Sequence, residues 1–143
     1  MTAVLKVFIS FIAFGFLLCG CRTVSHLPQY EKFIGRESLL DRDYYLYEED
    51  HWPSKGYVLR REQLPTDPAY GNTTYNFITT LHAGTAVTVI KAHRIYIEDG
   101  CDELYAEVYV PTLKDTITFR YTVGHLPQIN DGTQKLDWLP RDY

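Results

Sequence analysis

One arrangement in this sequence that could support nucleophilic catalysis is a thiol with an imidazole. Cys101 follows the acidic run Glu98-Asp99-Gly100, and His93 or His125 could act as its base. Carboxylates beside a cysteine raise the pKa of the thiol and suppress the thiolate that would attack a substrate. We therefore predict that the chain is not an enzyme, and that Cys101 is a loop or half-buried residue.

The residues around Gly100 also raise the question of a metal. Four carboxylates surround this glycine, at positions 98, 99, 102 and 103. Oxygen ligands suit a hard cation such as calcium, but this spacing is not that of a twelve-residue calcium loop. The five histidines, at positions 26, 51, 82, 93 and 125, lack metal-ligand spacing as well. We predict no metal and no cofactor, and interpret the acidic run as a solvated hairpin tip.

Aromatic side chains are the remaining chemical signal, since the chain has 12 Tyr and 2 Trp. Such side chains can stack on sugar rings, on peptides or on a partner protein. One group lies near a long loop and another on the outer face of a predicted hairpin. The candidate binding residues are Tyr44, Tyr45, Tyr47, Trp52, Tyr105, Tyr109 and Arg120. The alternative is that about half of these aromatic residues close the core or cover its end.

Composition narrows the choice of partner. The chain has 143 residues and a formal net charge of −4, with no cluster of basic residues. Nucleic-acid binding needs a positive surface, so mild acidity argues against nucleic acid as a partner.

The second half of the chain predicts strands at residues 77–81, 86–98, 104–110 and 116–123. The strand at 86–98 changes its inward parity between Val89 and Ile95, so we expect a bulge near Ala92. Residues 104–110 and 116–123 alternate between apolar and polar, which predicts a hairpin with its turn at 111–114. In this register Val108 faces Ile117 and Ala106 faces Phe119 on the inner side. On the outer side Tyr105 faces Arg120, with Glu107 diagonal to Arg120.

The first half of the chain is less regular. A short strand is predicted at 44–47 and is expected to end at the acidic residues 48–50. Residues 51–74 are rich in Pro, Gly and Asn, which is typical of a loop, with one short strand at 57–60. A closing strand is predicted at 135–139. Five or six short strands without a helical period predict an all-β fold, a small and strongly bent antiparallel barrel.

Residues 1–20 have the pattern of an export signal. They carry one charge, Lys6, ahead of an apolar run from Val7 to Leu18 that is too short to span a bilayer. An ordinary secretory signal and an uncleaved short anchor are the alternatives to the interpretation that follows.

The stretch Leu18-Cys19-Gly20-Cys21 resembles the lipobox of bacterial lipoproteins, in which an apolar residue and a small residue precede an invariant cysteine. The resemblance implies a diacylglyceryl group on the Cys21 sulfur, cleavage after Gly20 and acylation of the new amino terminus. Two or more acyl chains anchor a protein stably. In this family Arg22, rather than an aspartate, implies sorting to the outer membrane.

This resemblance implies three segments. Residues 1–20 are a signal peptide, 21–33 a lipidated tether, and 34–143 a single β domain. Because Cys19 is removed and Cys21 is blocked, Cys101 is left as the free thiol and no internal disulfide is expected.

The segment Leu81-His82-Ala83-Gly84-Thr85-Ala86-Val87-Thr88-Val89 resembles the turn and strand of bacterial SH3-like domains. The resemblance covers residues 77–123 and implies that the predicted hairpin supplies the next two strands.

These observations predict a non-enzymatic envelope lipoprotein on the periplasmic face of the outer membrane, contacting peptidoglycan or an envelope protein. An inhibitor or immunity protein against a toxic hydrolase is the alternative. A thiol-dependent cell-wall enzyme is a third interpretation, which the acidic surroundings of Cys101 disfavour.

Overall fold

The computed structural model describes residues 21–51, 54–65, 69–70, 73–96, 100–130, 132 and 136–140. Ten strands and two short helices lie within these residues. The elements in chain order are β1 (Arg22–Thr23), α1 (Pro28–Glu31), β2 (Glu37–Leu39), β3 (Tyr44–His51), β4 (Ser54–Arg60), β5 (Ala69–Tyr70), β6 (Thr73–Leu81), β7 (Ala86–Ile95), β8 (Cys101–Val110), β9 (Asp115–His125), α2 (Leu126–Asn130) and β10 (Leu139–Pro140).

The strands form one mixed sheet in the order β10-β2-β7-β8-β9-β4-β3-β6-β5, with β1 also paired to β7. All pairs are antiparallel except β4 with β9, which run parallel. The prediction of an all-β fold is confirmed. The number of strands is ten rather than five or six, and the described part of the sheet contains a parallel pair and is not closed.

The β8–β9 hairpin has the predicted register. Val108 pairs with Ile117, Ala106 with Phe119, and Tyr105 with Arg120. This register is firm because a slip of one residue would move the apolar side chains of both strands to the opposite face. The bulge predicted in β7 also occurs, between Val89 and Lys91, slightly before the expected position.

One face of the sheet carries the main hydrophobic core. The largest fully buried side chains include Trp138, Tyr44, Phe119 and Leu104. Trp138 lies just before β10 and packs on three aromatic rings of this core, with ring centroids 5.2 Å from Tyr121, 6.2 Å from Phe119 and 6.3 Å from Tyr44. Burial of these rings fixes the end of the chain against the sheet, although the predicted closing strand is paired to β2 only at Leu139–Pro140.

The strand β3 does not end at the acidic residues 48–50 but continues to His51. It pairs with β4 on one side and with β6 on the other. The prediction that the strand ends at these residues was wrong, because Glu49 gains Arg120 and Tyr75 as partners and Asp50 pairs with Lys55 at 3.2 Å. In the predicted loop between residues 51 and 74, the strand expected at 57–60 extends back to Ser54 as β4, and β5 and the start of β6 are also strand.

The segment predicted as a tether packs against the domain. Strand β1 pairs with His93 and Arg94 of β7, and the Val24 amide donates to the Ala92 carbonyl at 2.9 Å. Three side chains of this segment, Val24, Tyr30 and Phe33, are at most 3% exposed. Within the described residues, packing against the sheet therefore extends back to Arg22, because these apolar side chains are part of the core.

The predicted signal peptide, residues 1–20, lies outside the described residues. Among the residues that the structure describes, none of the helices has the length and apolar character needed to cross a membrane.

Candidate functional site

The face of the sheet opposite the main core carries a line of charged and aromatic side chains. Alternation along each strand places them on one side: Tyr105 on β8, Arg120 on β9, Glu49 on β3 and Tyr75 on β6. Tyr47 and Val58 belong to the same face, where they are buried apart from the main core. This second, smaller cluster gives the polar side chains a firm base.

Arg120 is held between two carboxylates from different strands. Its Nη1 donates to Glu103 Oε1 of β8 at 2.9 Å, and its Nη2 donates to Glu49 Oε2 of β3. The side chain of Glu103 is 4% exposed and that of Glu49 is 16% exposed. Burial alone would lower the pKa of Arg120, but the two carboxylates outweigh it and raise the pKa. Arg120 therefore stays charged and has a fixed orientation.

The carboxylate next to Arg120 on β8 is Glu103 rather than Glu107. Both lie diagonally across the strand pair from Arg120, and Glu107 is exposed. Arg120 pairs with Glu103 because a buried carboxylate is costly without a cation close to it, whereas the exposed Glu107 is solvated.

Tyrosines extend the network at both ends. On the β6 side, the Tyr75 hydroxyl donates to Glu49 Oε1 at 3.1 Å and accepts from Arg60 Nη2 at 3.0 Å. On the β7 side, Lys91 Nζ lies 4.8 Å from the centre of the Tyr105 ring. Charged and aromatic groups thus continue across several neighbouring strands, from β6 to β7.

A cleft of about 560 Å³ opens above this network. Its lining includes Tyr57 and Tyr105, together with the charged side chains of Glu49, Lys55 and Arg120. The size is in the range of small-ligand sites, roughly 300–1,000 Å³. The Tyr57 ring packs against the main core, whereas Tyr105 lies on the same face of the sheet as Arg120. An aromatic ring beside both a cation and a carboxylate can take a sugar ring and a charged group of the same ligand.

Gly56 makes room for the cleft. It pairs with Glu49 in the β3–β4 ladder, and a Cβ added at this position would meet nothing within 4 Å. A larger residue here would project into the cleft without disturbing the sheet. The absence of a side chain at Gly56 therefore contributes directly to the open volume.

The predicted binding residues do not all lie together. Tyr105 and Arg120 line the cleft. Tyr109 is 58% exposed, but it lies further along β8 and is not among the residues that line the cleft. Tyr45 is half-buried on β3, and Trp52 lies outside the described residues.

Tyr44 and Tyr47 are interior residues, so their prediction as binding residues was wrong. Tyr44 is fully buried; its hydroxyl donates to Asp41 Oδ1 at 2.6 Å and accepts from Trp138 Nε1 at 3.2 Å. Tyr47 is 3% exposed, and its hydroxyl accepts from the Leu64 amide at 2.8 Å. Both hydroxyls are satisfied internally, which explains why tyrosine is tolerated at these buried positions.

Sequence reasoning missed Glu49 and Gly56. It placed both at the edge of a loop, so neither was assigned to a face of a sheet. The signal was present in the parity of β3, where Glu49 follows Tyr45 and Tyr47 at every second residue. A strand that extended past residue 47 would have put Glu49 beside these tyrosines.

The acidic run near Cys101 is not a solvated tip in its described part. Asp102 is fully buried, accepts two hydrogen bonds from Arg94 at 2.7 and 3.0 Å, and accepts one from the Tyr30 hydroxyl at 2.5 Å. Glu103 accepts a hydrogen bond from Arg120. Glu98 and Asp99 lie outside the described residues. Among the described residues, no group of three or more His, Cys, Asp or Glu is arranged to hold a metal ion.

Cys101 is half-buried at the start of β8, opposite His125. Burial raises the pKa of its thiol, and Glu103 and Asp102 raise it further. The environment therefore favours the neutral thiol over the thiolate.

Comparison with protein-family models, with curated proteins and with solved structures finds no match for this chain. The features that bear on function are therefore the resemblance of residues 18–21 to a lipobox and the geometry of the cleft.

Proposed function

We propose that this chain is a non-enzymatic binding module of the bacterial envelope, anchored by lipid at Cys21 to the periplasmic face of the outer membrane. Its binding site is the cleft above Gly56, and its ligand is a segment of peptidoglycan or of an envelope protein. The observation that carries the proposal is the open cleft itself, where the Tyr105 ring and a rigid Arg120 line a space left by a glycine.

The lining of the cleft suits a ligand of mixed chemistry. Tyr105 offers a ring surface, while Lys55 and Arg120 can meet a carboxylate and Glu49 an amine. Peptidoglycan combines sugar rings with short charged peptides, so one segment of it could use all of these groups. Because Arg120 is already oriented by two carboxylates, little conformational entropy would be lost when a ligand binds.

Two further observations support parts of the proposal. The raised pKa of Cys101 favours a binding role over thiol catalysis. The glycine turn at Gly84, with φ of +81°, and the antiparallel order β7-β8-β9 are compatible with an SH3-like relationship for residues 77–123. That relationship is part of the proposal.

The test fills the cleft without touching its charged groups. In the Gly56→Leu variant the new side chain occupies the open volume, so we expect retention on purified peptidoglycan sacculi to fall about tenfold, equivalent to about 1.4 kcal/mol. Leucine in a strand also costs less backbone entropy than glycine, so folding should not suffer. Retention is measured by co-sedimentation across a range of sacculus concentrations.

Two companion variants sharpen the result. Tyr105→Ala removes a ring from the cleft and should also weaken retention, whereas Tyr109→Ala removes an exposed ring outside the cleft and should leave it unchanged. If sacculi do not retain the wild-type protein, photo-cross-linking from position 105 in cells tests the envelope-protein form of the proposal. Equal retention and equal cross-linking for wild type and Gly56→Leu would refute the cleft as the site.

A further inference from the structure

In the proposed anchor, the lipidated residue is directly followed by the first strand of the domain. Cys21 is exposed, and the next residue already belongs to β1 and pairs with Arg94 of β7. The following hydrogen bonds, from the Val24 amide to the Ala92 carbonyl and from the Ala92 amide to Ser25 Oγ, both measure 2.9 Å. An acyl group on Cys21 is therefore attached directly to the sheet.

The neighbours of Cys21 identify one end of the sheet. The register of β1 on β7 runs Thr23 to His93 and Arg22 to Arg94, so Cys21 lies beside the end of β7 at Ile95. Ile95 in turn pairs with Cys101 at the start of β8. The end of β7, the start of β8 and the attachment point thus occupy the same end, which we call the anchor end.

The length of strand β8 gives the distance from the anchor end to the opposite end of the hairpin. It runs for ten residues from Cys101 to Val110, a length of about 30 Å at the usual rise per residue. The β8–β9 turn at 111–114 is therefore about 30 Å away. Tyr105, on the wall of the cleft, is four residues from Cys101, or about 13 Å along the strand.

We propose that the anchor end rests on the lipid bilayer, with Tyr96 at the membrane surface, the 111–114 turn directed away from it, and the cleft held about 13 Å above it. The proposal rests on lipidation of Cys21, which is part of the proposed function. The bilayer is the occupant of this surface because a chain fixed at residue 22 cannot move away from lipids inserted at residue 21.

The side chains of the anchor end are compatible with lipid headgroups. Tyr96 is 51% exposed, and tyrosine favours the membrane–water interface, where its ring is apolar and its hydroxyl remains hydrated. Arg94 is neutralised by Asp102, which leaves the exposed Arg22 as a basic side chain next to the attachment point. One such side chain adds about 1 kcal/mol of attraction to an anionic membrane and little to a phosphatidylcholine membrane, so on phosphatidylcholine vesicles the orientation should be insensitive to salt.

The experiment compares two positions by fluorescence quenching. The cell-derived full-length lipoprotein with Cys101→Ser carries a single reporter cysteine, at Tyr96→Cys or at Leu113→Cys, labelled with a nitrobenzoxadiazole dye. Leu113 is 39% exposed in the distal turn. The protein is reconstituted into phosphatidylcholine vesicles that contain nitroxide-labelled lipid. We expect quenching at position 96 to be at least roughly threefold stronger than at position 113, because a separation of about 30 Å exceeds the reach of the quencher.

A spacer variant provides the control. Insertion of ten Gly/Ser residues between Cys21 and Arg22 keeps the lipid but adds flexible reach, so the difference between the two positions should largely disappear. Salt at high concentration should leave the wild-type difference unchanged.

The contrary outcomes separate the two proposals. Equal quenching at both positions in protein that floats with the vesicles would overturn the orientation and leave the anchor intact. Protein that fails to float, with an unmodified residue 21 by mass spectrometry, would overturn the anchor and the orientation with it.

Discussion

Arg120 shows how a single side chain can organise a site that spans several strands. It lies on β9, its carboxylate partners lie on β8 and β3, and those two strands are not neighbours in the sheet. A guanidinium presents several N–H donors in a planar fork, so it can bind both carboxylates at once, which a lysine ammonium would do with less directional control. The cleft therefore depends on Arg120 for its shape as well as its charge.

Replacement of Arg120 by glutamine should destabilise the protein by about 2 kcal/mol, because two carboxylates would face each other with no cation between them. Without Arg120 the buried Glu103 has no cation beside it. The double variant Arg120→Gln/Glu103→Gln should therefore regain part of the lost free energy of unfolding. Urea denaturation followed by circular dichroism measures both. The matched control is Arg42→Gln, which breaks a single ion pair between neighbouring residues, with the arginine side chain 54% exposed, and should change stability little. Equal effects at the two arginines would contradict this account of Arg120.

At the residue scale, sequence alternation placed Tyr105 opposite Arg120 because both belong to one hairpin with a short turn. It could not identify Glu49, since the partner of a charged residue on a distant strand is set by tertiary pairing and leaves no local pattern. Tyr44 and Tyr47 were misassigned for a related reason: a tyrosine looks the same in sequence whether its hydroxyl meets water or a buried acceptor.

At the scale of single elements, two glycines with the same backbone conformation have different surroundings. Gly100 directly precedes β8 and has a φ of +72°, and Gly84 lies in the β6–β7 turn and has a φ of +81°. A Cβ on Gly100 would lie 2.5 Å from Leu126 Cδ1 and 3.1 Å from the Ile95 carbonyl oxygen, whereas a Cβ on Gly84 would meet nothing within 4 Å. Substitution of these two glycines therefore distinguishes the cost of a strained backbone from the cost of steric crowding.

We expect Gly84→Ala to cost about 1 kcal/mol, from the left-handed backbone alone. Gly100→Ala should cost about 3 kcal/mol, because the added methyl group must also displace Leu126 from the start of α2. Thermal unfolding of both variants under the same conditions gives the comparison. Similar melting temperatures would mean that Leu126 moves freely and that the contact with α2 contributes no stability.

The elements also differ in how well they could be predicted. The β8–β9 hairpin was predictable because alternation, a short turn and burial of one face all specify the same register. The continuation of β3 through the acidic residues 48–50 was not, because acidic residues are depleted in strands. The contacts that offset this preference are tertiary: Glu49 binds Arg120 and Tyr75, and Asp50 pairs with Lys55.

At the scale of the whole molecule, the N-terminal segment is part of the cooperative domain. Phe33 is buried in the main core, and Tyr30 joins the buried Asp102, which Arg94 of β7 also holds. The sequence suggested a tether because residues 22–33 have no regular period, and two buried aromatic side chains in an irregular segment produce none. The distinction matters for function, since a tether would let the cleft reach far from the membrane.

Tyr30→Phe tests this packing, because the ring remains while the hydrogen bond to a buried carboxylate is lost. We expect a loss of about 1–2 kcal/mol in the free energy of unfolding. Tyr109→Phe, at a site 58% exposed, serves as the control and should have no effect. Limited proteolysis of the wild-type protein should cut within residues 22–33 only under conditions that unfold the domain. Rapid cleavage there in the folded protein would instead support the prediction that residues 22–33 are a flexible tether.

The parallel pair β4–β9 has a bearing on the order in which the chain folds. Strands β3, β4 and β6 are close in sequence, as are β7, β8 and β9, so each group can assemble from local contacts. The two groups meet where residues 57–59 lie beside residues 119–121. Contacts between distant parts of a chain form slowly, because a long loop must close first. We therefore expect each group to form early and the pairing of β4 with β9 to form last, so that the complete sheet can assemble only after β9 has been synthesised.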